Sequence, residues 1–211
     1  MQIRRAMMMQ ASKTSRLPAE YQEVEYIKSD GYAYINSGVY GNQDSVVELD
    51  FKIDVIADAT MFGARTSATS NAFYILIRGG TWFASAYDGS GNDDFKINGT
   101  AIVADTNRHK ITIDKRERYF DDVQSESIGT YTAFTTPKEL YLFRSSHQAN
   151  GTKMAEMRIY SCIINDNGTP VRNFVPCYRK QDNEIGMYDL INGSFYANGS
   201  DRGSFTKGQD I

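Results

Sequence analysis

The chain has 211 residues, of which 41% are hydrophobic, 23% charged and 12% aromatic. That composition excludes an intrinsically disordered chain, and the length suits one large domain with its own core. No apolar run approaches the roughly 18 residues that a membrane-spanning helix needs, so a membrane partner is not expected.

Charge is divided unevenly along the chain. Residues 1–16 carry four basic side chains and no acidic one, whereas the other residues carry 19 basic and 26 acidic ones, which gives +4 against −7 within a net charge of −3. Nucleic-acid binding needs clustered Lys and Arg, so the acidic body argues against such a partner.

Residues 1–16 form a basic arm rich in methionine. Its apolar stretch, residues 6–9, is shorter than the roughly 7–15 residues of a signal-peptide core, so we expect a protein made in the cytoplasm without secretion. Methionine adapts to irregular apolar surfaces, which favours docking of the arm on a partner subunit over the alternative of a solvated tail. The predicted docking residues are Ile3, Arg4, Arg5, Met7, Met8 and Met9.

From Leu17 onward the pattern is that of short β-strands. In residues 46–55, Val47, Leu49, Phe51, Ile53 and Val55 alternate with Glu48, Asp50, Lys52 and Asp54, and this period of two predicts a half-buried strand. The spacing of the segments is typical of sandwiches and barrels. The predicted strands are residues 21–27, 33–39, 46–55, 60–64, 73–78, 81–87, 94–97, 109–114, 118–121, 140–144, 154–164, 172–178, 187–191 and 194–197.

The strand over residues 154–164 shows the same alternation. We expect one face to carry its apolar side chains and the other its polar ones. The inward set is Ala155, Met157, Ile159 and Ile163, and the outward set is Glu156, Arg158 and Tyr160.

Asn-Gly pairs begin at positions 98, 150, 167, 192 and 198, and each is followed by Thr or Ser. They therefore match the N-glycosylation pattern, but a type I′ turn, which needs positive φ at two central residues, explains them without it. We predict hairpins at most of these pairs.

Cys162 and Cys177 are the only cysteines, and each lies in a predicted strand outside any CxxC or metal-spaced pattern. Two semi-buried thiols are the favoured interpretation, and a disulfide stays open if the two strands pair side by side.

Both ends of the body carry a family resemblance. LPAEYQEVEYIKSDGYAYINSGV (residues 17–39) resembles the opening of a concanavalin A-like lectin/glucanase jelly roll, whose usual form is LPSxYQEVEYIESTGTQYIDTG. RIYSCIINDNGTPVRNFVPCYRKQDNEIGMYDLINGSFYANG (residues 158–199) is similar to the end of that domain. The family occurs in phage and prophage structural proteins and in surface proteins of Gram-positive gut bacteria. The resemblance implies a two-sheet antiparallel jelly-roll sandwich, laminin-G-like, over residues 17–211, but not one activity.

The catalytic pattern of the glycanases in this class is incomplete. They carry E-x-D-x-E or E-x-D-x-x-E on one strand, and the two catalytic carboxyl groups stand about 5–5.5 Å apart. Glu48 and Asp50 come nearest, but Lys52 and Ile53 occupy the positions of the second Glu. We therefore predict no enzymatic activity and a solvated strand face.

Other catalytic groups are equally unsupported. His109 and His147 are the only histidines, and His109 opens a strand, where exposure is expected. No serine or cysteine lies in an elbow motif such as G-x-S-x-G. We expect no cofactor.

Loop 88–94 places oxygen-bearing side chains at five positions, which suits Ca²⁺, but the glycine and glutamate of a calcium loop are missing. A polar turn is the favoured interpretation, with calcium left open. A sugar site needs an aromatic platform beside polar groups, and Trp82, the only tryptophan, has Arg78 near it in sequence. The predicted carbohydrate-binding residues are Trp82, Tyr87, Asp88, Asn92 and Arg144, although for Trp82 packing in the sandwich core is the favoured interpretation and a sugar platform the alternative.

These observations favour a non-enzymatic virion protein of a bacteriophage, tail- or capsid-associated. Its jelly roll would be displayed outward for adhesion to host glycans, and its arm would hold it to other virion proteins. Homo-oligomers, by family analogy trimers, are expected. The alternatives are a carbohydrate-binding module of a bacterial surface protein and, disfavoured, a glycanase.

Overall fold

The computed structural model describes residues 15–65, 71–87, 93–127, 133–147 and 154–211. These residues form nineteen β-strands and no helix, so none of them belongs to a helix that could cross a membrane. The predicted arm residues Ile3 to Met9 lie outside the described part of the chain.

The strands in chain order are β1 (Tyr21–Glu23), β2 (Ile27–Ser29), β3 (Ile35–Asn42), β4 (Ser45–Val55), β5 (Ala59–Ala64), β6 (Phe73–Arg78), β7 (Trp82–Tyr87), β8 (Asp93–Asp94), β9 (Lys96–Ile97), β10 (Thr100–Ala101), β11 (Arg108–Asp114), β12 (Glu117–Phe120), β13 (Val123–Ser125), β14 (Thr135–Leu142), β15 (Glu156–Asp166), β16 (Thr169–Arg179), β17 (Glu184–Asp189), β18 (Ser194–Tyr196) and β19 (Phe205–Lys207).

Two antiparallel sheets pack face to face, which confirms the predicted all-β sandwich. The larger sheet has the order β13-β12-β11-β4-β15-β16-β17-β18, with β1 beside β16, β2 beside β15 and β19 beside β2. The smaller sheet has six strands in the order β3-β14-β5-β6-β7-β8, and β9 and β10 form a separate hairpin. The architecture is compatible with a jelly roll.

Strand β4 pairs along most of its length with β11 on one side and β15 on the other. Its inward side chains are fully buried, and Phe51 meets Phe83 of β7 across the sandwich with ring centroids 5.7 Å apart. The predicted alternation is confirmed apart from Val55, which is 48% exposed where the strand ends.

A β-bulge changes the inward face of β15. Its register against β4 shifts between Ile159 and Ser161, and beyond that point Cys162 and Ile164 are buried while Ile163 is only half-buried. The expectation that Ile163 faces the core is therefore wrong, because an extra residue in one strand reverses the faces that follow it.

Three of the Asn-Gly pairs form hairpin turns. Both residues have positive φ at Asn98-Gly99 (51° and 77°) and at Asn167-Gly168 (47° and 77°), whereas at Asn192-Gly193 only the glycine does (69°). Asn198-Gly199 is not a turn, because its side-chain and backbone groups hydrogen-bond to the backbone of Tyr34. The pair at 150 lies outside the described residues.

The predicted strand over residues 21–27 is divided in two. Between β1 and β2, Val24 bridges to Asp210 and the Glu25 backbone N–H donates to the carbonyl of Gln209 (2.9 Å). Here the chain stops pairing with β16 and begins to pair with β15 and β19. This places the C-terminal residues beside the start of the domain.

The two cysteines are free and buried on opposite faces of the larger sheet. Cys162 lies in the main core, whereas Cys177 packs with Leu17 and Tyr188 in a separate cluster on the outer side. Burial raises the pKa of Cys177 to about 12, so the thiol stays protonated and unreactive at neutral pH. This confirms the interpretation as thiols, with deeper burial than expected.

The close approach of β5 and β6 depends on Gly63, whose φ is +125°. A Cβ there would overlap the carbonyl oxygen of Phe73 and the Cα of Tyr74.

We expect Gly63→Ala to lower the free energy of unfolding by more than about 3 kcal/mol, measured by urea denaturation. Gly79→Ala is the matched control, because Gly79 also has positive φ (59°) but no atom within 4 Å of the added methyl, and it should cost about 1–2 kcal/mol. Equal losses would contradict the steric argument.

Candidate functional site

The outer face of the smaller sheet, turned away from the core, carries the candidate site. Successive side chains alternate between faces, so Phe83 and Tyr87 of β7 point into the main core while Trp82, Ala84 and Ala86 point outward. On β6 the outward row is Tyr74, Leu76 and Arg78, which pair with Ala86, Ala84 and Trp82 respectively. We call these six residues the outer face; its four central members are buried, and Arg78 and Trp82 are the two that reach the surface.

Trp82 and Arg78 lie side by side on this face. Arg78 is exposed and Trp82 half-buried, so the indole is not part of the main core. Asp94 of β8 pairs with Ala84 of β7. Its carboxylate forms a bidentate ion pair with Arg78, in which Nε lies 2.8 Å from Oδ1. The hydrogen bond to Asp94 raises the pKa of Arg78 further. An aromatic ring, a guanidinium and a carboxylate are thereby brought to one surface.

Next to this pair lies a cavity of about 340 Å³. Thr60 and Leu76, which face each other across β5 and β6, line it together with Arg65 and Arg78. The guanidinium of Arg65 stacks on the Tyr74 ring, 5.0 Å from its centroid. The sequence contains no signal for Arg65. This residue follows the end of β5 in a polar segment, and it meets Tyr74 because β5 and β6 pair with each other.

Two of the other predicted sugar-binding residues, Tyr87 and Arg144, do not lie on this surface. Tyr87 is 1% exposed, and its hydroxyl donates to the Gln43 carbonyl, because alternation turns it inward. Arg144 is 2% exposed and stacks on Tyr34, 4.9 Å from the ring centroid, three strands away from Trp82. Asp88 and Asn92 lie outside the described residues, as does most of the possible calcium loop.

The carboxylates of β4 lie on the outer side of the larger sheet, remote from Trp82. Asp50 accepts two hydrogen bonds from Arg108 (2.8 and 2.7 Å), and Asp54 is bound by Arg158 and Lys28. Burial acts to raise the pKa of Asp54, but the hydrogen bonds from Arg158 and Lys28 prevail and lower it. A general acid needs the opposite shift, so Asp54 does not have the pKa expected of one.

The expectation that His109 is exposed is wrong, because its side chain is only 11% exposed. Nδ1 lies 2.7 Å from Asp121 and Nε2 lies 2.9 Å from Asp105, while the ring packs on Phe120 with centroids 4.7 Å apart. Burial acts to lower the pKa of His109, but the hydrogen bonds to Asp121 and Asp105 prevail and raise it. The histidine thus links Asp105 and Asp121, which lie on either side of β11 in the chain.

Within the described residues, no group of three or more His, Cys, Asp or Glu side chains is placed to hold a metal ion. The sequence matches no family model, and it matches no curated protein.

His109 makes the stability of the fold depend on pH. Its pKa is raised in the folded state above 6.5, so its contribution is complete below about pH 6.5 and is lost as pH rises through the folded value. We expect NMR titration to give an imidazole pKa above 6.5, and urea denaturation to show a fall in stability over this window. His109→Gln should abolish that fall, whereas the control His147→Gln should keep it. A folded-state pKa at or below 6.5 would contradict the geometry.

Proposed function

We propose that this chain is a non-enzymatic structural protein of a phage particle, whose concanavalin A-like jelly roll is displayed outward and binds glycans of the host surface. The observation that carries the proposal is the juxtaposition of Trp82 with the Arg78–Asp94 ion pair on the outer face. An indole provides a flat apolar surface for the C–H face of a pyranose, and a guanidinium and a carboxylate provide fixed partners for its hydroxyl groups.

Binding rather than hydrolysis is supported by where the carboxylates lie. A retaining glycanase needs two carboxyl groups about 5–5.5 Å apart at the bound sugar, one of them with a raised pKa. Asp50 and Asp54 are held in ion pairs on the other sheet, and Asp94 beside Trp82 is neutralised by Arg78. None of these three is arranged as a proton donor.

The assignment to a virion is supported by the resemblance of residues 17–39 and 158–199 to jelly rolls of phage structural proteins, and by the charge of the arm. A segment with +4 charge and three consecutive methionines has both an electrostatic and an apolar reason to bind an acidic protein surface. Other virion proteins, or the −7 body of a second subunit in a trimer, are the partners that we infer.

Glycan binding is tested by removing the indole. We expect the protein to bind host cell-wall polysaccharide on a glycan array, and Trp82→Ala to weaken that binding by about tenfold or more, measured by calorimetry with the strongest ligand. Tyr40→Ala is the control, because Tyr40 is 50% exposed on β3 at the opposite edge of the same sheet. Absence of glycan binding by the wild-type protein would overturn the adhesion role.

Anchoring is tested by deleting residues 1–14, which leaves the ion pair between Arg16 and Glu23 in place. We expect the circular dichroism spectrum of the β fold to be unchanged. Incorporation into particles, measured by immunoblotting of purified virions, should be lost. Replacing Met7, Met8 and Met9 by Ser should give a partial loss if the apolar contact contributes. Incorporation of the truncated protein at the normal level would show that the arm is not the anchor.

A further inference from the structure

The cavity beside the outer face holds two arginines in different electrostatic situations. Arg78 is neutralised by Asp94, with Asp58 close enough to add to the effect. Arg65 has no carboxylate within salt-bridge distance in the part of the chain that the structure describes, so its charge is the uncompensated one.

Arg65 is also held in place. The guanidinium carbon lies over the ring of Tyr74, which is fully buried, and Nε is buried with no hydrogen-bond partner among the described residues. A buried donor without a partner typically costs about 1–3 kcal/mol, and more when the group is charged. The buried Nε is itself out of a ligand's reach, so the acceptors of a ligand would be bound by the terminal N–H groups of Arg65, whose side chain lines the cavity.

The remaining lining indicates which acceptor fits. A planar carboxylate takes two parallel N–H donors from a guanidinium, a geometry that Arg65 can supply. Asp58 and Asp94 lie near the same cavity and would repel a dianion such as phosphate more strongly than a monoanion. Leu76 and Met154 add apolar surface beside the hydroxyl-bearing Thr60, which suits a molecule with both C–H and hydroxyl faces.

The size of the cavity limits the ligand further. About 340 Å³ lies at the low end of the roughly 300–1,000 Å³ of small-molecule sites, which is room for one sugar ring. Arg78 lines the cavity and also neighbours Trp82, so a glycan bound at Trp82 would reach the cavity with one of its residues.

We propose that Arg65 and the cavity beside it bind the carboxylate of an acidic sugar, a uronic or a sialic acid, within the glycan recognised by the outer face. This assignment rests on the proposed glycan-binding function and specifies its ligand class. Arg65 is the residue that determines specificity for charge, and Leu76 and Thr60 contact the ring.

The test uses matched ligands on the full-length protein. Methyl β-glucuronide and methyl β-glucoside share one ring and differ in the carboxylate, the methyl glycoside of N-acetylneuraminic acid represents sialic acids, and inorganic phosphate is the anion without a sugar. Each is titrated while the side-chain Nε–H signal of Arg65 is followed by ¹⁵N NMR. We expect at least one of the two acidic sugars to shift this signal and to bind about tenfold or more tightly than the neutral glucoside.

Two substitutions separate charge from geometry. Arg65→Gln removes the charge and should abolish the preference for the acidic sugar, and Arg65→Lys keeps the charge without the two-pronged donor and should restore only part of it. Arg116→Gln is the control, an exposed arginine in the turn between β11 and β12. The wild-type NMR titration decides the question even if a variant does not fold.

The outcomes distinguish this inference from the function on which it rests. Binding of neutral glycans that depends on Trp82, without any preference for a carboxylate, would overturn the role of Arg65 and leave glycan adhesion standing. Phosphate binding as tight as that of the acidic sugars would overturn it too, since the site would then select charge alone. No binding of any sugar would overturn both.

Discussion

The inward row of β4 is the constraint on which the rest of the structure depends. Its four buried side chains are each worth about 1.5–3 kcal/mol when removed from water, and they are buried only if the smaller sheet covers them. Because side chains alternate, the same strand must turn its charged residues outward, where Asp50 and Asp54 are bound by arginines of the flanking strands β11 and β15. Burial on one face and ion pairing on the other thus fix which neighbours β4 accepts, and with them the order of the larger sheet.

The smaller sheet is apolar on both faces in its centre. Tyr74, Ala84 and Ala86 are buried on the side away from the main core, while Phe73 and Phe83 of the same strands are buried within it. Ala84 and Ala86 of β7 have small side chains. The longer side chains of Trp82 and Arg78, at the end of the hairpin between β6 and β7, are therefore the part of the outer face that reaches the surface. The site therefore derives from the packing of a strand that is apolar on both sides.

Charges on the two outer surfaces serve different purposes. On the larger sheet, Asp50 and Asp54 pair with guanidiniums of the neighbouring strands, which stabilises the register of those strands. On the smaller sheet, by contrast, the guanidinium of Arg65 lies over the ring of Tyr74, and its Nε is buried. Under the proposed function, this cation would suit the recognition of an acidic glycan.

The amino-acid sequence by itself determined most of the strands, though not β10, β13 and β19, and the inward face of β4, because a period of two in hydrophobicity is a local property that burial must satisfy. It also indicated Trp82 and Arg78 as neighbours, since a short hairpin pairs residues that are close in sequence. Only the tertiary structure decided the bulge that turns Cys162 inward, the pairing of His109 with Asp105 and Asp121, and the stacking of Arg65 on Tyr74. It likewise turned Tyr87 into the core and placed Arg144 three strands away, because a side chain's face and its neighbours depend on register and on the opposite sheet, which local pattern does not encode.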